Sequence, residues 1–155
     1  MGLAMFYQLS RSAAGDTVAN LLGRALAQGW RVMIRSTDPA RLAGLDGQLW
    51  LGAPEAFVPH GIQGGARDAD QPVLLGMGAI ANGARALMLV DRAEVSLAEA
   101  QALDRVWVIF DGADGLALAH ARGQWTALTQ AGVAAQYWSE DSGTWAKKAE
   151  KATVN

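Results

Sequence analysis

The sequence predicts an α/β domain, because short apolar runs alternate along it with longer amphipathic stretches. This alternation is typical of strands joined by helices in a mostly parallel sheet. Of the 155 residues, 51% are hydrophobic and 18% are charged, which is typical of a globular chain and not of a disordered one. A chain of this length fits one domain with one core. We therefore predict a single domain at residues 1–150 and a short tail at 151–155.

The first part of the chain predicts two strand–helix units. A strand is expected at Leu3–Leu9, and a helix follows from about 15 to 28, because apolar residues recur there at helical spacing. A second strand is expected at 31–36. The next helix starts at Asp38 and Pro39, where aspartate caps the helix and proline takes its first position. The apolar face of this helix is formed by Leu42, Leu45 and Leu49.

The remainder is less regular but predicts further strands and helices. Residues 54–70 carry proline, glycine and aspartate and should be mostly loop. Strands are expected at 73–75, 86–90, 106–110 and 134–138. The dipeptide Asn82-Gly83 is a turn signal between the first two of them. Ser96 and Glu99 form a capping box at the start of a helix. Helices are expected at 97–103 and 114–131.

Composition excludes several classes of function. The formal net charge is −2, which argues against a general nucleic-acid binder with many phosphate contacts. The chain has no cysteine, so disulfides, thiolate catalysis and cysteine-based zinc sites are excluded. The longest apolar runs are far too short to span a bilayer, and the first residues lack the pattern of a signal peptide. We expect a soluble cytoplasmic protein without a cofactor or membrane contact.

Two motifs offer an enzymatic alternative. Gly76 and Gly78 belong to a Gly-x-Gly-x-x-Ala pattern after an apolar strand, as in dinucleotide-binding loops, but a turn signal interrupts the helix that should follow. Asp111 and Asp114 end a buried strand, where they could hold a magnesium ion or fix the turn and cap the next helix. The chain has no Gly-Lys-Ser/Thr sequence, so a P-loop is absent.

The histidines give no support to a metal or hydrolase site. His60 and His120 have no second histidine or carboxylate at metal-ligand spacing. No Gly-x-Ser-x-Gly elbow accompanies them, as a catalytic triad on an α/β fold would require. We expect His60 to be a packed or hydrogen-bonded loop residue, and we predict no metal site.

Aromatic and cationic residues are concentrated near the end of the chain. An apolar stripe on the last predicted helix consists of Leu118, Ala121, Trp125 and Leu128. Arg122 flanks this stripe, and an arginine beside an indole suits a shallow pocket for an apolar group with a carboxylate. The next strand brings Tyr137 and Trp138 back towards the helix, one on each face of the sheet. Alternatively, the aromatic residues are ordinary core and the lysines at 147–151 only solubilise the tail.

A set of short sequence blocks, in a fixed order, points to a family. The blocks are Phe6-Tyr7-x-Leu9, Leu49-Trp50, Pro54-Glu55-x-Phe57-Val58-Pro59-His60, Ile109-Phe110-Asp111-Gly112-x-Asp114, Ala121-Arg122-x-x-Trp125, Gly132 and Tyr137-Trp138. Taken together, residues 5–149 resemble the chi subunit of bacterial DNA polymerase III. The resemblance implies a Rossmann-like, three-layer α/β fold that has no nucleotide-binding loop and no catalytic activity of its own.

The resemblance also implies partners. Members of the family belong to the clamp-loader complex of the polymerase III holoenzyme and bind the acidic C-terminal tail of single-stranded DNA-binding protein. That tail ends in a phenylalanine carboxylate. Carried over by position, Arg122 would meet the carboxylate, and Trp125 and Tyr137 would form the walls of the phenylalanine pocket. Direct strong binding of nucleic acid is not expected.

Other positions follow from the same resemblance. Thr126 stands where some members have a lysine, and Lys147 and Lys148 are expected to replace that cation. Trp50 and Phe57 match positions that face psi, a second clamp-loader subunit, so psi or a substitute is an expected partner. Two other functions stay open: a nucleotide-binding or metal-dependent hydrolytic enzyme that uses the glycine and aspartate pairs above, and an oligomerisation domain without a ligand.

Overall fold

Strands and helices alternate along the chain, as the hydrophobic pattern predicts. The computed structural model describes residues 2–50 and 60–152. Its strands are β1 (Leu3–Leu9), β2 (Val32–Arg35), β3 (His60–Ile62), β4 (Val73–Gly76), β5 (Ala86–Leu89), β6 (Arg105–Asp111), β7 (Ala134–Ser139) and β8 (Ala146–Lys151). Its helices are α1 (Ala14–Ala27), α2 (Pro39–Trp50), α3 (Leu97–Ala102) and α4 (Gly115–Gln130).

Within the described residues, the strands form one eight-stranded sheet in the order β3-β4-β2-β5-β6-β1-β7-β8. The strands from β1 to β7 are parallel to their neighbours, and β8 pairs antiparallel with β7. Helices α1 and α2 pack on one face of the sheet, which we call the α1 face. Helices α3 and α4 pack on the other, the α4 face. The predicted three-layer, mostly parallel α/β architecture is confirmed.

Both faces of the sheet carry a hydrophobic core. Because successive side chains on a strand point to opposite faces, β1 contributes to both: Phe6 is buried on the α4 face and Tyr7 on the α1 face. The strands β2, β4 and β5 are buried at every position, which explains why they read as continuous apolar runs. In the part of the chain that is described, no helix has the length and apolar character needed to cross a membrane.

The helix starts follow the capping residues in the sequence. Ser96 Oγ accepts a hydrogen bond from the Glu99 amide at 3.1 Å, and Glu99 Oε1 accepts one from the Ser96 amide at 3.0 Å, so the predicted capping box is confirmed. Both carboxylate oxygens of Glu99 also accept hydrogen bonds from the buried Arg35 guanidinium, at 3.0 and 2.8 Å. These bonds hold the pKa of Glu99 at about 2. Asp38 caps α2 through the Ala40 amide at 2.9 Å.

The sequence analysis did not predict two of the strands, β3 and β8. β3 lies within the segment that we expected to be mostly loop, and its three residues are too few to show a period of two. β8 follows the strand that we expected to be the last. Its sequence, Ala-Lys-Lys-Ala-Glu-Lys, is exposed at nearly every position, so no buried face marks it as a strand.

The turn at Asn82-Gly83 does not join a hairpin. The strands on either side of it, β4 and β5, do not pair with each other, because each pairs in parallel with β2. Asn82 is 1% exposed, and its amide nitrogen donates to the carbonyl oxygens of Gln71 at 2.9 Å and Val32 at 3.2 Å. Gly83 adopts a φ of 67°, which favours glycine. The dipeptide therefore lies in the connection between two parallel strands, β4 and β5, and is not the turn of a β-hairpin.

Candidate partner-binding surface

The pocket residues predicted on α4 and β7 lie on the same face of the sheet. The Trp125 ring meets Phe6 at 5.4 Å and Tyr137 at 5.9 Å between ring centroids, both nearly edge to face. Tyr137 also stacks on Phe6 at 6.3 Å and meets Phe110 at 6.0 Å. We call Phe6, Phe110, Trp125 and Tyr137 the α4-face aromatic cluster. Each favourable ring pair adds about 1 kcal/mol beyond the area it buries.

The cluster has a buried base and a partly exposed edge. Phe6 and Phe110 are 0% and 7% exposed, whereas Trp125 and Tyr137 are only partly buried. The Tyr137 hydroxyl donates to Gln8 Oε1 at 2.5 Å. Burial raises the pKa of the Tyr137 phenol, and the nearby positive charge of Arg122 opposes this shift. Arg122 therefore lies close enough to the exposed edge for its charge to act there.

Arg122 itself is exposed on the outer side of α4. Among residues 2–50 and 60–152, no carboxylate lies within ion-pair distance of its guanidinium. Thr126, one turn later, donates its hydroxyl hydrogen to the Arg122 carbonyl oxygen at 3.1 Å. The threonine hydroxyl is thus engaged within the helix, while the arginine fork is available for a carboxylate.

The lysines of β8 divide between the two faces of the sheet. Lys147 pairs with Trp138, whose ring packs into the α1-face core, so the Lys147 side chain lies on the α1 face. Its ammonium forms an ion pair with Glu150 at 3.0 Å. Lys148 falls at a register shift between the β7 and β8 pairings. Lys151 pairs with Ala135, which is buried in the α4-face core, so Lys151 shares a face with Tyr137.

Sequence reasoning missed part of this surface. Phe6 and Phe110 complete the aromatic cluster. The sequence analysis named them only as part of the family pattern and did not predict that they belong to the pocket. Their alternation on β1 and β6 was the available signal, because it places both on the same face as Tyr137 if the three strands are neighbours. Lys151 carried no such signal, since β8 was not recognised as a strand.

The positions matched to psi contacts fall at the limit of the described chain. Trp50 is the last residue of α2, and its side chain lies outside the described residues. Phe57 lies outside them entirely. His60 is buried, and its Nε2 lies 3.1 Å from Asp46 Oδ1, so the predicted packed histidine is confirmed. It lies at the start of β3, however, and not in a loop as we expected.

The glycine and aspartate pairs have structural partners. Gly78 donates its amide hydrogen to Gln63 Oε1 at 3.3 Å, and a Cβ on Gly76 would collide with the same oxygen. The Asp111 carboxylate accepts from the Ala113 amide at 2.9 Å. The Asp114 carboxylate caps α4 through the amides of Leu116 and Ala117, at 3.0 and 3.3 Å. The described residues contain no group of three or more metal-ligating side chains.

A carboxylate of the chain itself occupies the turn between β1 and α1. Glu140 Oε1 accepts hydrogen bonds from the amides of Ser10, Arg11 and Ser12 at 2.9, 2.8 and 2.6 Å, and Oε2 accepts from the Ser12 hydroxyl at 2.8 Å. Burial alone would raise the pKa of Glu140, but these hydrogen bonds outweigh it and hold the pKa at about 2. Doubly wound α/β folds use this turn for phosphate, so an incoming phosphate would have to displace Glu140.

Comparison with known proteins adds a family to this geometry. The sequence model of the family described as "DNA polymerase III chi subunit, HolC" matches residues 1–136. A relative from Pseudomonas aeruginosa, named DNA polymerase III subunit chi, is 39% identical over 67 residues, which are 43% of this chain and 46% of the relative. The match thus spans less than half of that relative's length. Arg122 and Trp125 lie within the family match, whereas Tyr137 and β8 follow it.

Proposed function

The chain belongs to the DNA polymerase III chi subunit family, and we propose that it links the polymerase to coated single-stranded DNA by binding the acidic C-terminal tail of single-stranded DNA-binding protein. The family consists of accessory subunits of the polymerase complex that are not themselves catalytic. In this proposal the α4-face aromatic cluster takes the apolar end of the tail, and Arg122 binds its terminal carboxylate.

The observation that carries the proposal is the guanidinium of Arg122, which has no ion-pair partner in residues 2–50 and 60–152, beside a partly exposed aromatic edge. Its fork can donate two parallel hydrogen bonds to a carboxylate. Trp125 and Tyr137 offer rigid apolar surface next to it, and their own contacts with Phe6 keep them in place. A terminal residue that combines a ring with a carboxylate satisfies both features at once.

The distribution of lysines refines how the acidic part of the tail is held. Lys147 lies on the α1 face and is already paired with Glu150, so it contributes little to an acidic segment lying on the α4 face. Lys151 lies on the α4 face of β8, and Lys148 is exposed at the register shift beside Tyr137. We assign the cation missing at Thr126 to Lys148 and Lys151. Exposed charges of this kind give a binding constant that falls with salt.

A second contact within the polymerase complex completes the proposed function. By the resemblance, Trp50 and Phe57 would face psi or its substitute. Trp50 is the last residue of α2, which packs against β3 and β4 at the opposite edge of the sheet from β8. The two partners would therefore bind far apart and would not compete. Co-purification of a clamp-loader subunit with the wild-type chain, but not with Phe57→Ala, tests this part.

Titration with a short acidic peptide ending in phenylalanine tests the main proposal. We expect an affinity on the order of micromolar, because ordering a flexible tail offsets much of the contact energy. Arg122→Ala should weaken binding at least about tenfold, which is the loss of one good charge-assisted hydrogen-bond pair. Calorimetry measures the affinity, and circular dichroism verifies that the variant is folded.

Two controls make this titration specific. Arg67→Ala removes another exposed arginine, between β3 and β4 at the far edge of the sheet, and should leave the affinity unchanged. A peptide with an amidated C-terminus should bind wild type as weakly as the free-acid peptide binds Arg122→Ala. Equal binding of the amidated and free-acid peptides would show that Arg122 does not bind the terminal carboxylate.

A further inference from the structure

A second aromatic site lies on the opposite face of the sheet. Between α1 and the strands β1 and β7 the protein leaves a cleft of about 270 Å³. We call it the α1-face cleft. Its apolar side is formed by Met5, Tyr7, Leu21, Trp138 and Trp145. Its polar side is formed by Ser12, Asp16, Thr17, Asn20 and Arg24.

The aromatic wall of the cleft is firmly placed. Trp145 meets the Tyr7 ring edge to face, with centroids 5.2 Å apart, and Trp138 lies opposite Tyr7 in the register of β1 and β7. The Trp138 indole donates to Gln136 Oε1 at 3.1 Å, which fixes its ring. An apolar cavity of roughly 150 Å³ is enough to hold benzene. The cleft therefore has room for one aromatic ring and a short arm.

Two hydrogen-bond donors share a weak acceptor beside the cleft: Tyr7, which lines it, and Arg105, which does not. Among the residues that the structure describes, the Tyr7 hydroxyl reaches only the Met5 sulfur, at 3.9 Å, although Tyr7 is 8% exposed. A guanidinium nitrogen of Arg105 reaches the same sulfur at 3.2 Å, and Arg105 Nε is buried without a hydrogen-bond partner among the described residues. A thioether is a poor acceptor. A carboxylate beside Tyr7 in the cleft would give its hydroxyl a much stronger acceptor.

The charge at this end of the cleft is positive. Arg24 lines the cleft and is exposed, and no carboxylate in residues 2–50 or 60–152 lies within ion-pair distance of it. Burial raises the pKa of the Tyr7 phenol, while the positive charges of Arg24 and Arg105 oppose that shift. Asp16 lies two helical turns before Arg24, about 12 Å away along α1. The negative charge is therefore at the other end.

We propose that the α1-face cleft binds an aromatic ring that carries a carboxylate on a short arm. The ring lies against Trp138 and Trp145, and the carboxylate accepts hydrogen bonds from the Tyr7 hydroxyl and the Arg24 guanidinium. Such a group occurs in free aromatic acids and at the C-terminal aromatic residue of a peptide. The site lies on the other side of the sheet from Arg122, so it is independent of the function proposed above.

Titration of the full-length, ¹⁵N-labelled chain with 3-phenylpropionate tests the proposal. The indole N–H signals of Trp138 and Trp145 should shift, and Trp145→Phe assigns one of them. The signal of Trp125 on the α4 face should shift less. The amide analogue, 3-phenylpropanamide, should bind about tenfold more weakly, because it lacks the charge that Arg24 recognises. Propionate, which lacks the ring, should leave both indole signals in place.

Variants separate the cleft from the Arg122 surface. Arg24→Gln, an exposed substitution, should weaken 3-phenylpropionate about tenfold, and Tyr7→Phe should weaken it less. Arg67→Gln, at another exposed arginine far from both sites, should leave its affinity unchanged. Equal affinities for the acid and the amide, or an unchanged affinity in Arg24→Gln, would overturn the proposal. If only Arg122→Ala reduced binding, the cleft would be excluded while the tail-binding proposal would stand.

A further titration distinguishes between a free aromatic acid and a peptide C-terminus as the ligand. An N-acetylated dipeptide ending in phenylalanine carries the same ring and carboxylate on a peptide backbone. Tighter binding of this dipeptide than of 3-phenylpropionate, with the same loss in Arg24→Gln, assigns the cleft to a chain terminus. Weaker binding of the dipeptide assigns it to a free aromatic acid. If neither the dipeptide nor 3-phenylpropionate shifts the indole N–H signals of Trp138 and Trp145, the proposal is contradicted.

Discussion

The two faces of the sheet around β1 and β7 use the same kinds of residue in opposite ways. On the α4 face, Phe6, Trp125 and Tyr137 fill the space between helix and sheet with ring contacts, and Arg122 remains at the edge. On the α1 face, rings of the same types leave a cleft of about 270 Å³. The first site is a surface and the second is a cavity.

Helix placement explains this difference. α4 packs against β1, β6 and β7, so it covers the strands that carry the aromatic cluster. α1 packs mainly against α2, β2 and β6, and Trp138 of β7 remains partly exposed on this face. Composition alone therefore does not decide whether an aromatic residue becomes core or part of a site. The position of the nearest helix over the sheet decides it, and substitutions on the two faces should have separable effects.

The largest effect is expected for Phe6→Ala. Phe6 is 0% exposed and contacts both Trp125 and Tyr137, so its loss leaves a cavity under the aromatic cluster. We expect the free energy of unfolding in urea to fall by about 3–5 kcal/mol. Leu116→Ala, at a side chain 69% exposed, should change it by less than about 0.5 kcal/mol. A loss below about 1 kcal/mol for Phe6→Ala would mean that the cluster does not depend on its buried base.

Glu140→Gln should have the next largest effect, at the turn between β1 and α1. The substitution weakens the hydrogen bonds that Glu140 accepts from three backbone amides and from the Ser12 hydroxyl. We therefore expect the free energy of unfolding to fall by about 2 kcal/mol. The folded pKa of about 2 lies below the ordinary value of 4.5, so this stability is present above pH 4.5 and is lost as pH falls towards 2. Urea midpoints measured across this range should differ less between wild type and variant at the acidic end. A constant difference would contradict the assignment.

The two tyrosines give a matched pair with a smaller effect. Tyr137→Phe removes a 2.5 Å hydrogen bond to Gln8 and should cost about 1 kcal/mol. Tyr7→Phe removes only a 3.9 Å contact with the Met5 sulfur and should cost close to nothing. Denaturant unfolding of both variants measures the contrast. Equal costs would show that the Tyr7 hydroxyl has a stronger partner in the folded protein than the sulfur.

The smallest effect is expected for the lysines of β8. Lys151→Ala should weaken the acidic peptide about two- to threefold at low salt, because the lysine shares a face with Tyr137. Lys147→Ala should leave the affinity unchanged, because its side chain is on the α1 face and is paired with Glu150. Peptide titrations at two salt concentrations measure both. A larger loss in Lys147→Ala than in Lys151→Ala would reverse our assignment of the faces.

Most of the fold could be predicted from the sequence because its signals are local. The strand at Leu3–Leu9, the capping box at Ser96 and the cap at Asp114 depend on residues that are close together in the chain. β8 could not be predicted in this way, because an exposed edge strand gains its hydrogen bonds from β7 and not from burial of an apolar face. The same missing strand hid the face on which each lysine lies.

The candidate sites show the same limit. Arg122, Trp125 and Tyr137 were predicted together, and the structure places them on one face, although their role in binding stays a prediction. The hydrogen bonds of Glu140 to Ser10, Arg11 and Ser12 span about 130 positions and follow no spacing rule. The α1-face cleft likewise arises from the gap between a helix and two strands, and no sequence pattern describes a gap.

The open edge of β8 has a consequence for the behaviour of the protein in a crowded cell. An edge strand is a template on which another chain can add, and long exposed edges promote aggregation. Here Lys147, Lys148 and Lys151 place positive charge along that edge. A second copy would bring the same charge to the same edge, so growth of the sheet from molecule to molecule is opposed. Replacing these lysines with valine should make the purified protein precipitate at concentrations where the wild type stays clear.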